Sequence, residues 1–191
     1  MATEEENKEH IRKYHRAGLK VLLKQIQSRS TPGWDDGKAF EYLVLRAFEL
    51  ERAEVAWPYK VTIGELTSTA SARILEEIDG FVWARGIPLL VESKDREEKE
   101  DIEAIAKLRN KLLRRTGQLV GAVFTSNIQG FTEPAKFLAQ FLAPQVILLW
   151  TGDEVEFALK NKCFIRGLQR KYKASLMKGL PNYNIKTGTY T

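Results

Sequence analysis

Glu92-Ser93-Lys94 closes the run from Ile87 to Lys94, which is otherwise apolar and follows the turn signal Arg85-Gly86. Such a run reads as a buried strand. Successive side chains of a strand point to opposite faces, so Glu92 and Lys94 share one face with Leu90. A carboxylate and an amine therefore meet at the end of a core strand. Asp79 lies on the preceding strand, where a hairpin through Arg85-Gly86 brings it beside Glu92. Two acids and a lysine are costly to bury unless they pair with one another or hold a metal ion. As an isolated feature Glu-x-Lys reads as a structural ion pair. Asp79-Gly80 at hairpin distance, and the elements on either side, move the reading toward chemistry. Glu77 shares the face of Asp79 and is its rival for the role.

The elements that must position these groups are legible from periodicity. Residues 5–28 read as one amphipathic helix carrying Ile11, Leu19, Leu22, Leu23 and Ile26, ended by the breaker cluster from Ser28 to Gly33. Asp35-Asp36-Gly37 opens a stronger helix, Lys38 to about Arg52, with an Asp as N-cap and a broad apolar stripe. Glu41 lies toward its buried side, either as a first-turn acid favoured by the dipole or as a third carboxylate aimed at the sheet. A strand around Glu54 to Thr62 is interrupted by Pro58, and Gly64 to Ser71 reads as a polar loop. Arg73 to Ala84 reads as a single strand, followed by the Glu-x-Lys strand.

Beyond Lys94 the period changes to that of a helix over 97–115, with acids early and bases late. Leu119 to Thr125 is another buried strand. A strand, a long helix and a second buried strand imply a parallel crossover. Thr132-Glu133-Pro134 starts a further helix, running to about Ala143, and Val146 to Trp150 is a last short strand. The expected fold is α/β, a mixed central sheet of about five strands flanked by helices in the order α-β-β-β-α-β-α-β. Its parts are an N-terminal helical arm over 1–30, the α/β domain over 31–160 and a basic extension over 161–191, with 179–191 a loose tail.

Composition narrows the setting. A chain of 191 residues with 43% apolar content is long enough for one well-packed domain. No apolar run approaches a membrane span, and the acidic, polar N-terminus is unlike a secretory signal. The single cysteine, Cys163, excludes an internal disulfide framework and fits a reducing cytoplasm. His10 and His15 lack the spacing and the neighbours of a zinc site. The net charge of +5 is unevenly spread, with no acid after Glu156. Arg166, Arg170, Lys171 and Lys173, interleaved with aromatics, make that end fit either a polyanion or simply a solvated basic helix.

Glu41 in the first strong helix, Asp79 at a strand end and Glu92-Ser93-Lys94 on the next strand, followed by a helix–strand unit, resemble the PD-(D/E)xK nucleases of the restriction-endonuclease-like superfamily, most of all the Mrr-like branch. The resemblance covers roughly 35–159. Two positions depart from it. Ile78 stands where the family has Pro, and Glu92 stands where the Mrr-like branch often has Gln.

The resemblance implies a restriction-endonuclease-like core and metal-dependent hydrolysis of phosphodiester bonds, in DNA first. It implies Mg²⁺ or Mn²⁺ held by Asp79, Glu92 and the Ser93 carbonyl, with Glu41 holding a second ion or the water shell of the first. Lys94 would orient or deprotonate the attacking water, with a depressed pKa. Phosphate contacts fall to Arg96, Arg109, Lys111, Arg114, Arg115, Arg170, Lys171 and Lys173. Cutting both strands of a duplex with one site per chain calls for a homodimer. Two other readings stand beside this one. One is an inactive nuclease-fold module that binds nucleic acid or protein, and the other is an ion-pair network in an unrelated α/β domain.

Overall fold

The strand that ends in Glu92-Ser93-Lys94 lies at the centre of the sheet. A computed structural model describes residues 2–63, 73–115 and 117–189. In it β5 (Ile87–Lys94) is flanked by antiparallel β4 (Gly80–Ala84) and parallel β6 (Val120–Thr125). The edges are β1 (Glu54–Ala56), antiparallel to β4, and β7 (Val146–Trp150), parallel to β6. The sheet is therefore mixed and five-stranded, in the order β1-β4-β5-β6-β7. A central strand has no solvated face, which is why Ile87 to Val91 is continuously apolar. Leu89 and Val91 enter one core with α3 (Lys38–Glu49), while Leu90 enters a second core with α4 (Ile102–Leu113) and α5 (Glu133–Gln140). The crossover through α4 makes β5 and β6 parallel, as the alternation of periods requires. Among the described residues no helix is long and apolar enough to cross a membrane.

Two glycines shape the neighbourhood of the site. Arg85 and Gly86 both have positive φ, 51° and 78°, as a two-residue turn between twisted strands demands. Gly80 carries a packing requirement instead. A Cβ there would lie 2.5 Å from Leu45 Cδ2, so only glycine lets α3 press onto the start of β4. Leu45 is one turn beyond Glu41, and this close approach holds the helix end that carries Glu41 against the strand that follows Asp79.

Several expected elements divide where one was read. Arg73 to Ala84 is two strands, β3 (Arg73–Ile78) and β4, and they belong to different sheets. The chain turns out of the main sheet at Asp79. The strand expected over 54–62 splits at Pro58 into β1 and β2 (Tyr59–Ile63), and β2 pairs only with β3 as a separate ribbon. Proline's missing N–H breaks the ladder there. The expected loop over 64–71 lies outside the described residues. The N-terminal helix is also two, α1 (Glu4–Arg12) and α2 (Arg16–Gln27). Arg46 of α3 donates to the carbonyls of Arg12 at 3.0 Å and Tyr14 at 3.2 Å, which satisfies the exposed end of α1 and fixes the break. Gly37, not an Asp, occupies the N-cap of α3, and the Asp35 carboxylate takes the N–H of Ala2 instead. Helix α4 begins five residues later than periodicity indicated, because Glu100 pairs as a lone parallel bridge with Phe131.

The basic end is folded onto the sheet. Helix α6 (Gly152–Asn161) and α7 (Phe164–Lys178) bury Phe164 and Leu168 against Trp150 and Phe48, and Ile185 of the expected loose tail is buried in the same core.

Candidate active site

The point where the chain leaves the sheet is the point where the chemistry gathers. Pairing of β4 with β5 starts at Gly80 opposite Val91, so the next inward N–H of β5, that of Ser93, has no strand partner. Asp79 Oδ2 accepts it at 2.7 Å. A carboxylate thus takes the place of a ladder carbonyl, and Asp79 is fixed at the strand end. The N–H and C=O of a strand residue project toward the same edge, which turns the Ser93 carbonyl to the Asp79 side. Glu92, only 3% exposed, lies on the α4 face. Its Oε1 accepts from Lys94 Nζ and its Oε2 from Lys111 Nζ, each at 2.6 Å. Glu41 accepts from Lys38 at 2.6 Å. The structure thus places Asp79, Glu92, Ser93, Lys94 and Glu41 around one sheet end. Glu77, the rival acid, is exposed and pairs with Lys60 at 3.4 Å.

Electrostatics tie the group together. Burial, with the charges of Glu92 and Glu41, pushes the Asp79 carboxyl up to about 7 from 3.8, while the Ser93 N–H holds it down in part. No ion pair reaches Asp79 among the described residues, although the charge of Lys111 also draws it down in part. Burial also raises Glu41, against the pull of Lys38 and Lys94. Burial works against the charge of Lys94, but Glu92, Asp79 and Glu100 outweigh it and its pKa is raised. Asp79 and Glu41 open onto a cleft of about 830 Å³, which Lys38, Tyr59 and Lys60 also line. Lys94 opens onto a separate cavity of about 60 Å³ beside Glu100.

The residues expected to grip phosphate divide into two sets. Arg96, Arg109, Arg170 and Lys173 are exposed and carry no ion pair among the described residues. Lys111 belongs to the site itself, on Glu92. Arg114 and Arg115 clasp the buried Glu76 of β3 at 3.0 and 2.9 Å, which ties the β2–β3 ribbon to the end of α4. Lys171 is a correction, for it is fully buried. It pairs with Glu154 at 2.6 Å and donates to the carbonyls of Leu149 and Tyr183, each also at 2.6 Å. Its charge holds the tail to β7 and is closed to phosphate. Lys38 and Glu100 were missed, and Lys111 was read as a phosphate contact and not as the partner of Glu92. Lys38 could have been found from its i,i+3 spacing to Glu41. Nothing local marks Lys111 or Glu100, which meet the site only through the crossover.

Among the described residues no group of three or more His, Cys, Asp and Glu side chains is gathered tightly enough to hold a metal ion as it stands. Both oxygens of Glu92 are drawn to lysines instead. The donor chemistry still fits a hard cation. Asp79 has an acid's desolvation with no ion pair among the described residues, Glu92 and Glu41 crowd it with like charge, and the Ser93 carbonyl faces the same side.

No protein-family model matches the chain, and no curated protein is significantly similar to it. The crystal structure of a protein of unknown function, AF1548, is similar over 83% of this chain and 79% of its own, at 17% identity and a TM-score of 0.44. A likeness that low carries no argument about activity.

Proposed function

We propose that this protein is a metal-dependent endonuclease of the restriction-endonuclease-like kind, hydrolysing phosphodiester bonds in DNA for restriction, defence or repair. The observation that carries the reading is the gathering of Asp79, Glu92 and Lys94 at one strand end, with Glu41 brought there from α3. Asp79, Glu92 and the Ser93 carbonyl would hold Mg²⁺ or Mn²⁺, and Glu41 would hold a second ion or the water shell of the first. A divalent cation so held supplies Lewis acidity and a bound water of lowered pKa. Lys94 is the group placed to orient or deprotonate the attacking water, or to offset the charge that develops on the phosphate. The cleft beside Asp79 also holds Glu4, Asp35, Asp36 and Glu77, so phosphate approach depends on a cation being present. Arg96, Arg109, Arg170 and Lys173 are the exposed cations for the backbone, and they carry little sequence information. Cutting both strands calls for two copies, and a homodimer is part of the proposal.

A second reading has an observation of its own. Lys94 and Lys111 saturate Glu92 in a closed network, the arrangement of a structural ion cluster in an inactive module that binds nucleic acid or protein. The two readings part in one assay. Wild type and Asp79→Ala are incubated with supercoiled and linear DNA in Mg²⁺, Mn²⁺ or EDTA. Metal-dependent cutting lost in the variant supports the nuclease, whereas salt-sensitive binding without cutting supports the module.

A further inference from the structure

Glu100 is the buried acid for which the proposed chemistry has no use. It is 1% exposed, and its Oε1 has no hydrogen-bond partner. Its backbone is fixed on both sides, the N–H donating to the Gly130 carbonyl at 2.8 Å and its carbonyl accepting from Thr132 at 2.9 Å. These two bonds tie the backbone at Glu100 to the strand-like segment beside it. An orphaned buried carboxylate oxygen is costly, of the order of the loss of a full hydrogen bond, and its persistence calls for an explanation. The cavity of about 60 Å³ that Glu100 lines is the one that Lys94 lines. The two side chains act on each other across it, Lys94 favouring the charge of Glu100 and Glu100 that of Lys94.

Lys94 now has one carboxylate partner, Glu92 Oε1. If Glu92 turns an oxygen to a cation, as the proposed function requires, that ammonium loses its acceptor in a part-buried setting. A buried unpaired ammonium is as costly as a buried unpaired carboxylate. An ammonium on the Glu100 side of the shared cavity would regain an acceptor and would give the orphaned oxygen a donor.

We infer that Glu100 is a positioning residue that receives the Lys94 ammonium when Glu92 is given over to a divalent cation. This rests on the proposed function, since it assumes that a cation comes to Glu92. Glu100 then does two things. It makes the release of Glu92 affordable, and it fixes where Lys94 sits once the cation is bound. Arg96 and Lys107 line the same cavity and supply the remaining counter-charge.

The test is a double-mutant cycle read by calorimetric titration of Mg²⁺ into the whole protein, with no substrate. The proteins are the wild type, Glu100→Ala, Lys94→Met and the double variant, each first checked for a cooperative melt. Glu100→Ala is expected to weaken Mg²⁺ about tenfold in the wild-type background, the worth of one charge-assisted hydrogen bond. In the Lys94→Met background it changes Mg²⁺ affinity little, because there is no ammonium to receive. Glu100→Gln, whose amide oxygen still accepts, recovers part of the loss, and Glu100→Leu, which cannot accept, serves in place of Glu100→Ala if the latter does not fold. An equal loss in both backgrounds, or none in either, overturns the inference alone. A wild type that binds no Mg²⁺ overturns the proposed function and this inference with it.

Discussion

At the residue scale the account rests on Asp79, an acid that no ion pair reaches among the described residues. Burial, with the charges of Glu92 and Glu41, pushes its carboxyl up from 3.8 to about 7. The fold binds that proton more tightly than the unfolded chain does. Stability from this group is therefore complete below about pH 4 and is lost as the pH rises through 7, on the order of 2–4 kcal/mol in all. Asp79→Asn keeps an acceptor for the Ser93 N–H and removes the charge. In EDTA its melting temperature is expected to exceed that of wild type at pH 8 and to show a flatter profile between pH 4 and 8. Mg²⁺ is expected to raise the wild-type melting temperature at pH 8 and leave Asp79→Asn unmoved. Lys94→Met is expected to lower single-turnover cleavage by about 10²-fold or more while keeping Mg²⁺ binding. The spacing of Asp79, Glu92 and Lys94 was legible because a strand's period of two is rigid. Lys111 was not, since it reaches Glu92 from a helix 19 residues on, and no local pattern encodes that meeting.

At the scale of elements, the close approach of α3 to β4 is the joint on which the site depends. Gly80→Ala drives a methyl into Leu45 and is expected to cost about 1–3 kcal/mol in chemical denaturation. Leu45→Ala in the same chain should recover part of that loss, and a loss unchanged by it would place the strain elsewhere. Long elements with one period, such as α3, β5, α4 and β6, could be read from the sequence. What could not be read was where the chain changes partners. Asp79 and Pro58 each divide one continuous apolar pattern between two sheets, and periodicity is blind to such a bend because both halves bury their alternate residues. The break after Arg12 is likewise set by Arg46, from 34 residues away.

At the scale of the whole molecule, the basic end, which charge alone fitted either to a polyanion or to a solvated helix, is partly core. Glu154 and Lys171 form a buried pair that also fixes the tail, through the Ile185 N–H on Glu154 at 2.9 Å and the Tyr183 carbonyl on Lys171. Lys171→Met leaves Glu154 buried without its cation and is expected to cost about 3–5 kcal/mol, read by denaturant unfolding. Charge in a sequence does not say which lysine of a basic run faces inward. Here the helical repeat of α7 puts Leu168, Lys171 and Ala174 on the buried side and leaves Arg170 and Lys173 outside. The central claim is that the acids at the end of β5 serve hydrolysis and not only cohesion. The most direct measurement is single-turnover cleavage of plasmid DNA in Mg²⁺ by wild type and by Asp79→Asn, the two matched for a cooperative melt. The account predicts nicking and linearisation by wild type that EDTA stops and that the folded Asp79→Asn lacks. Cutting that persists in Asp79→Asn, or no cutting by a wild type that binds the DNA, would contradict it.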